Sequence, residues 1–196
     1  MLELPRRETD DAERNAIDSE DQRVRAYLEI REDRMDIVTR LETARNQTLR
    51  YFDLSDEKLN RNYGSGKWSV RFILHHLADA ETVLFDRIRR VLSEPRQVLW
   101  RFDQDAWAMG LDYSRLPLDL SRRIYDAVRV GIIYQARLHY DIDGHREFVH
   151  SETGVRTLKA EFNKVASHNE HHVEQIELAL KGVPSITPYR RRGRPG

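Results

Sequence analysis

The sequence has no cysteine in its 196 residues. Disulfide bonds, thiolate metal ligands and a cysteine nucleophile are therefore excluded, and a thiol reaction would need a thiol from another molecule. Net charge is also absent, since Lys+Arg and Asp+Glu number 33 each, and this balance does not favour a polyanion-binding surface. No apolar run approaches the roughly 20 residues of a membrane span, and there is no apolar leader segment. We therefore expect a cytoplasmic protein without nucleic-acid or membrane partners.

The two ends of the chain differ in composition from the middle. Residues 1–21 are rich in acidic side chains, and residues 183–196 end in the basic, glycine- and proline-containing YRRRGRPG. Both compositions are typical of poorly ordered tails, because they cannot bury enough apolar surface. We therefore expect one folded domain over residues 22–182.

Apolar residues recur at helical spacing through this domain, and no segment alternates convincingly as a strand does. The spacing predicts four long helices: from about Gln22 to Phe52, from Ser69 through Val91, from Pro117 through Leu138, and from Thr157 to Lys181. The second and third carry these apolar stripes: Ile73, Leu77, Ala80, Leu84, Ile88 and Val91, then Leu120, Ile124, Ala127, Gly131, Tyr134 and Leu138. Residues 93–117 form a long connection with a helical turn near residues 105–109, and such connections are often functional. The pattern predicts an all-α four-helix bundle with long connecting loops.

Five histidines lie in two of these helices, within ILHHLADAE and SHNEHHVEQI. His168 and His172 are four residues apart on one flank of the apolar stripe, whereas His171 points more than about 100° away. On the second helix His76 flanks the stripe, and His75 is expected on the opposite, solvent side. His76, His168 and His172 would form a three-histidine site between two helices, and three protein ligands with an open position are typical of catalytic metal sites. The alternative is that they are partly buried, hydrogen-bonded structural residues.

Three other motif interpretations fail on spacing. HNEHH is not the HExxH of zinc proteases, because Glu170 follows the first histidine by two residues. GSGKWS has Trp68 where a phosphate-binding loop needs Ser or Thr. EFVH, residues 147–150, has the ExxH spacing of di-iron proteins but occurs once and in a predicted loop.

Three segments together resemble the DinB-like superfamily: GKWSVRFILHHLADAE (66–81), FDQDAWA (102–108) and HNEHHVEQI (168–176). The resemblance covers roughly residues 37–182 and implies a four-helix bundle that is commonly dimeric. It also implies one divalent metal ion, usually zinc or nickel and in some branches iron, bound by His76, His168 and His172. His75 and His171 match neighbours that are often histidine in the family without being ligands. Characterised relatives include transferases and isomerases that use low-molecular-weight thiols such as bacillithiol or mycothiol.

Two classes of function follow from such a site. Three neutral imidazoles leave the charge of an ion uncompensated, which lowers the pKa of bound water or stabilises a bound thiolate. The first hypothesis is a metal-dependent enzyme that activates a small thiol cosubstrate, or water, for transfer or hydrolysis of an electrophile held by the long loop. The alternative is a non-enzymatic metal-binding stress or structural protein.

Several polar residues lie close to the histidines in sequence. The helical arithmetic puts Asp79 on the solvent side and Glu81 nearer the core. Asn169 falls near the centre of the last helix's stripe, where it needs a partner, and Glu161 shares the flank of the histidines. Either a role beside the metal or structural hydrogen bonding fits these residues. Gln175 is a candidate for the dimer surface.

Aromatic residues are concentrated in and near the long connection. Trp100, Trp107 and Tyr113 either form the wall of a pocket or pack over the end of the bundle. Trp68 is expected to pack under the second helix.

Overall fold

The structure is a computed structural model that describes residues 37–94 and 96–182. The expected tails and the predicted helical residues 22–36 lie outside the described residues. The described elements are, in chain order: α1 (37–51), α2 (Asp56–Leu59), α3 (Val70–Ser93), β1 (Val98–Leu99), α4 (Gln104–Gly110), α5 (Leu118–His139), β2 (Glu147–His150), β3 (Gly154–Thr157) and α6 (Leu158–Lys181). None of the helices in this part of the chain is long and apolar enough to cross a bilayer.

The helices that carry the histidines begin at side-chain caps. The Ser69 hydroxyl accepts a hydrogen bond from the Phe72 N–H at the start of α3, at 3.3 Å. The Thr157 hydroxyl accepts one from the Ala160 N–H at the start of α6, at 3.2 Å. Helix α6 ends at Gly182, whose φ of 69° is left-handed and suits glycine. These contacts confirm the predicted start of α3 and both predicted ends of α6.

The four long helices α1, α3, α5 and α6 form a bundle in which two pairs of neighbours run parallel. Four side-chain contacts show the directions: Arg40–Glu170, Gln47–Glu177, His75–Ser121 and Glu81–Arg129. Partner numbers rise together in both pairs, so α1 is parallel to α6 and α3 is parallel to α5. Because α3 and α5 are consecutive long helices, the chain between them must return along about 33 Å of helix. The long connection is therefore a requirement of the topology, and the predicted four-helix bundle is confirmed.

The core lies between the long helices and contains the whole predicted stripe of α3. Its largest cluster draws on all four: Ile37 and Leu41, Leu84 and Ile88, Ile132 and Ile133, and Phe162 and Val165. Leu99 and Phe148 belong to the same cluster, so the strands pack onto the bundle.

The predicted inward stripe of α5 is wrong, because most of that face meets solvent. Leu120, Tyr134 and Leu138 have 42%, 58% and 45% of their surface exposed. The buried side of α5 consists of Ser121, Tyr125, Arg129, Ile132, Ile133 and Ala136. Polar residues occupy half of that side because each finds a buried partner, and a hydrophobic pattern cannot anticipate such pairs.

A three-stranded sheet in the order β1-β2-β3 corrects the prediction that the chain has no strands. Strand β2 pairs with β3 in an antiparallel hairpin and with β1 in parallel. Its burial alternates, with Phe148 and His150 inward and Glu147 and Val149 outward. Four residues with two polar side chains are too short and too polar for this alternation to stand out in the sequence. The two ends of the ExxH segment also face opposite sides, so they do not form a joint ligand pair.

Candidate metal centre

His76 of α3 converges with His168 and His172 of α6. The Nε2 atom of His168 lies 3.2 Å from that of His76 and 3.2 Å from that of His172. The three candidate ligand atoms are all within 4.8 Å of one another. His76 and His172 are buried, and His168 is half-buried. The antiparallel packing of α3 against α6 thus brings together the three histidines selected from the sequence.

The three side chains fit a divalent ion in spacing and in protonation. Zinc–nitrogen bonds of about 2.0–2.1 Å in a tetrahedron place neighbouring nitrogens about 3.3 Å apart. Burial lowers the pKa of His172 to about 4 and the pKa values of His76 and His168 well below the usual range. The imidazoles are therefore neutral near pH 7, which is the form that binds metals.

Gln175 determines which nitrogen of His172 faces the other two histidines. The Nδ1–H of His172 donates to the Gln175 Oε1, at 2.9 Å, so the lone pair is on Nε2. The Gln175 amide in turn donates to the Nε2 of His171, at 2.9 Å. His171 is exposed, as predicted, and takes no direct part in the cluster. A second hydrogen bond of this kind fixes ring orientation in metal sites.

Aromatic rings surround His76. Its ring stacks on Phe102 with centroids 5.7 Å apart and planes 6° apart, and Trp68 lies 5.1 Å away. Trp107 stands edge-on to Phe102 at 4.8 Å. The long connection therefore reaches the histidines through Phe102, and Trp107 supports that ring.

The sheet and a buried arginine hold this part of the connection in place. The Arg101 N–H donates to the Ser151 hydroxyl at 2.9 Å, and Arg87 donates to the Trp100 carbonyl at 2.6 Å. The Trp100 side chain itself is 77% exposed, so it does not form a wall of the site.

A cavity of about 210 Å³ lies beside His76 and His168, between α3, α6 and the long connection. Phe102 and three aliphatic or small residues of α3 line its apolar side. Its charged and polar lining includes Arg87, Arg101, His150, Glu152 and Lys164. The three histidines, which we call the triad, therefore have a space next to them in which a small molecule can bind.

The sequence profile described as the DinB superfamily matches residues 40–176. This chain belongs to the DinB superfamily. The resemblance stated from the three sequence segments is thus confirmed, and the match includes all three histidines of the cluster.

Relatives of this DinB-superfamily chain include two proteins of Oceanobacillus iheyensis, each named as a candidate metal-dependent hydrolase. One is 29% identical over 127 residues, which cover 65% of this chain and 73% of the relative. The other is 32% identical over 129 residues, covering 66% and 74%. Among solved structures, YfiT from Bacillus subtilis matches with a TM-score of 0.70 and 24% identity, over 79% of this chain and 90% of YfiT. YfiT is described as a candidate metal-dependent hydrolase with an unusual four-helix bundle topology, and the likeness shows that this chain shares its fold.

His75 of this DinB-superfamily protein is buried, so its predicted solvent exposure is wrong. Its Nδ1 hydrogen-bonds the Ser121 hydroxyl at 2.7 Å, and its ring lies 5.3 Å from that of Tyr113. Tyr113 donates a hydrogen bond to the half-buried Asp79, which was also expected on the solvent side. We call His75, Asp79, Tyr113 and Ser121 the closed polar cluster. The prediction failed because the side of α3 opposite its apolar stripe is also covered. Helix α6 packs on one side of α3, and α5 and the long connection pack on the other.

Glu81 and Glu161 each form a buried ion pair. Glu81 contacts Arg129 at 2.5 Å, and Glu161 contacts Arg87 at 3.3 Å. Burial raises the pKa of Glu81 to about 7, and the Arg129 charge acts in the opposite direction. Within the described part of the chain, neither carboxylate hydrogen-bonds a histidine of the triad.

Asn169 connects three helices at the centre of the bundle. Its side-chain oxygen accepts hydrogen bonds from Tyr125 at 3.1 Å and Thr48 at 3.3 Å, and its amide donates to Thr48 at 3.2 Å. Thr48 and Tyr125 come from α1 and α5. The polar residue in the α6 stripe therefore has the partners that burial requires.

Proposed function

We propose that His76, His168 and His172 hold one divalent metal ion, zinc, nickel or iron, and that the protein is a metal-dependent enzyme acting on a small molecule. The observation that carries this proposal is the convergence of three neutral Nε2 atoms beside a cavity of about 210 Å³. An ion on three neutral imidazoles keeps its full charge and would lower the pKa of water or a small thiol bound beside it. Gln175 holds His172 in the orientation that such a site needs, and Phe102 limits the space around His76.

Hydrolysis is the reaction that the named relatives favour, because those proteins are candidate metal-dependent hydrolases. The same site would serve S-transfer if a small thiol arrived as cosubstrate, since the chain has no cysteine. A turnover assay with activated esters separates the two: hydrolysis releases the acid and the alcohol without added thiol, whereas transfer requires the thiol and yields a thioester and the alcohol. A metal-loaded protein inactive in both arms would favour a non-enzymatic metal-binding protein.

Elemental analysis of the purified, untagged protein tests the metal site. We expect about one ion per chain in the wild type, near-complete loss in His172→Ala, and retention in His171→Ala. The two histidines are neighbours on α6, which makes the second variant a matched control. Equal loss from both variants, or no metal in the wild type after reconstitution, would overturn the proposal.

Thermal melting provides a second test of the same site. An ion held by α3 and α6 stabilises the folded state and not the unfolded chain, so chelation should lower the melting temperature. The same melting temperature with and without a chelator would show that no ion links α3 to α6.

We also propose that the protein is a homodimer that uses the exposed face of α5. Leu120, Tyr134 and Leu138 lie along this face, and exposed apolar rows of this kind mark interaction surfaces. Light scattering should give twice the chain mass for the wild type and the chain mass for Tyr134→Glu. A wild-type monomer at micromolar concentration contradicts this assembly.

A further inference from the structure

Hydrogen-bond donors dominate the polar side of the cavity beside the triad. Three cationic side chains line it, Arg87, Arg101 and Lys164, together with His150. The only carboxylate among the lining residues is that of the exposed Glu152. Such a lining favours a ligand that supplies acceptors and negative charge.

The three cations differ in how far they are already neutralised. Arg87 is buried and uses two of its donors on Glu161 and the Trp100 carbonyl. Among the described residues the Arg101 guanidinium contacts only Asp103, at 3.4 Å and in an exposed position, and such an ion pair contributes little to stability. Lys164 is half-buried, and its ammonium group has no hydrogen bond or ion pair within the described part of the chain. Burial lowers the pKa of Lys164, and the carboxylates of Glu161 and Glu152 act in the opposite direction without an ion-pair contact.

His150 adds a neutral donor to the same lining. Its Nδ1 accepts the backbone N–H groups of Glu152 and Thr153, at 3.3 and 3.4 Å, so the proton is on Nε2. Burial, together with the charges of Arg87 and Lys164, lowers the pKa of His150 and keeps it neutral. All three of these residues line the same cavity.

The position of Lys164 relates this donor group to the triad. Lys164 precedes His168 by one turn on the same face of α6, which is about 6 Å along the helix axis. Both residues line the same cavity, so a ligand that fills it contacts Lys164 as well as the triad.

We propose that the substrate of this site is a small molecule with an oxyanion, a carboxylate or phosphate-type group, a few bonds from its reacting atom, bound by Lys164 with Arg101 and His150. This inference rests on the proposed function for the use of the cavity. It assigns to Lys164 the role of binding the substrate's charge.

Two hydroxamates of equal length test the inference by affinity in the zinc-loaded protein. Succinic monohydroxamic acid carries a carboxylate where butyrohydroxamic acid carries a methyl group. Calorimetry should show that the first binds at least roughly tenfold more tightly, as a charge-assisted contact predicts. The advantage should disappear in Lys164→Gln and persist in Lys181→Gln, an exposed lysine at the far end of the same helix. Phosphonoacetohydroxamic acid in a third arm shows whether a phosphate-type group or a carboxylate is preferred.

A metal-free arm separates this inference from the proposed function. Succinate should shift amide signals in the NMR spectrum of the wild type from which metal has been removed by a chelator. It should leave the spectrum of Lys164→Gln unchanged. If the wild type never holds metal but binds succinate through Lys164, the oxyanion site stands and the metal-dependent function fails. If zinc is bound and both hydroxamates bind equally, the oxyanion inference is overturned and the metal site stands. Absence of succinate binding in the folded wild type also overturns the inference.

Discussion

His75 and His76 are adjacent on α3 and both are buried, yet they lie in two different kinds of environment. His76 meets two other histidines next to a cavity. His75 belongs to the closed polar cluster, where Ser121 satisfies its Nδ1 and Tyr113 covers its ring. Ser121 is only 2% exposed, so no substrate can reach its hydroxyl despite the serine–histidine hydrogen bond. Burial of a histidine therefore does not mark a functional site; converging lone pairs beside open space do.

Replacing each of the adjacent histidines in turn should have the largest effect. His76→Ala removes one of the three proposed ligands, so we expect it to lose stoichiometric metal. His75→Ala should keep the metal but lower the free energy of unfolding by about 1–3 kcal/mol, because Ser121 loses its buried partner. Elemental analysis and urea unfolding of both variants measure the contrast. Loss of metal from both would show that the two sides of α3 are not independent.

The free energy of unfolding should fall with falling pH in both the metal-free and the metal-loaded protein. Burial lowers the pKa of His75 and His172 to about 4 and that of His76 and His168 well below the usual range. Below about pH 6.5 the unfolded chain takes up protons that the folded protein does not, so the free energy of unfolding falls as pH falls. Each unit of pKa difference contributes about 1.4 kcal/mol.

An ion on the triad would keep these histidines unprotonated in the folded protein, and unfolding would release the ion and leave them free to take up protons. Urea titrations from pH 7 to 5.5 should therefore give a slope for the loaded protein at least as steep as that for the metal-free protein, and His75→Gln should reduce both slopes. A shallower slope for the loaded protein would contradict the assignment of the triad as the metal site.

Gln175 and Ser121 make equivalent hydrogen bonds, each to the Nδ1 of a buried histidine. Gln175→Leu should weaken metal affinity by about 10–100-fold, because His172 loses the contact that orients its ring. Ser121→Ala should leave the affinity unchanged. Competition with a chromogenic chelator measures both, and equal affinities for the two variants would remove Gln175 from the site.

The smallest effect is expected at the edge of the closed polar cluster. Tyr113→Phe removes the hydrogen bond to Asp79 and should lower the free energy of unfolding by about 1 kcal/mol. Burial already raises the pKa of Asp79, and loss of the Tyr113 hydroxyl should raise it further. Altered metal content in Tyr113→Phe would show that the closed polar cluster influences the triad.

Part of the fold could be predicted because it depends on local patterns. The Ser69 and Thr157 caps, the α3 stripe and the short helix α4 are encoded within a few turns of chain. The three candidate ligands were found in the same way, since i, i+4 spacing and a position beside an apolar stripe limit where a histidine can point.

The incorrect predictions, for the buried side of α5 and for the strands, share one physical cause. The buried side of α5 carries Arg129 and Ser121, which are stable there only because Glu81 and His75 on α3 pair with them. Likewise β1 and β2 are short strands that exist because each provides the other's backbone partners. Contacts between residues about fifty positions apart leave no signal in a local hydrophobic pattern.

By itself, the sequence determined the positions of the four long helices and excluded a thiol within the chain. It also selected His76, His168 and His172 as the candidate metal ligands. Only the tertiary structure decided that His75 is enclosed, that Phe102 covers His76, and that Lys164 lines the cavity beside the triad. Helix formation and capping are short-range and can be read within a few residues, whereas burial and access depend on which helices and loops pack together. The convergence of the three histidines therefore follows from their spacing along the chain, and access to them follows from the packing around them.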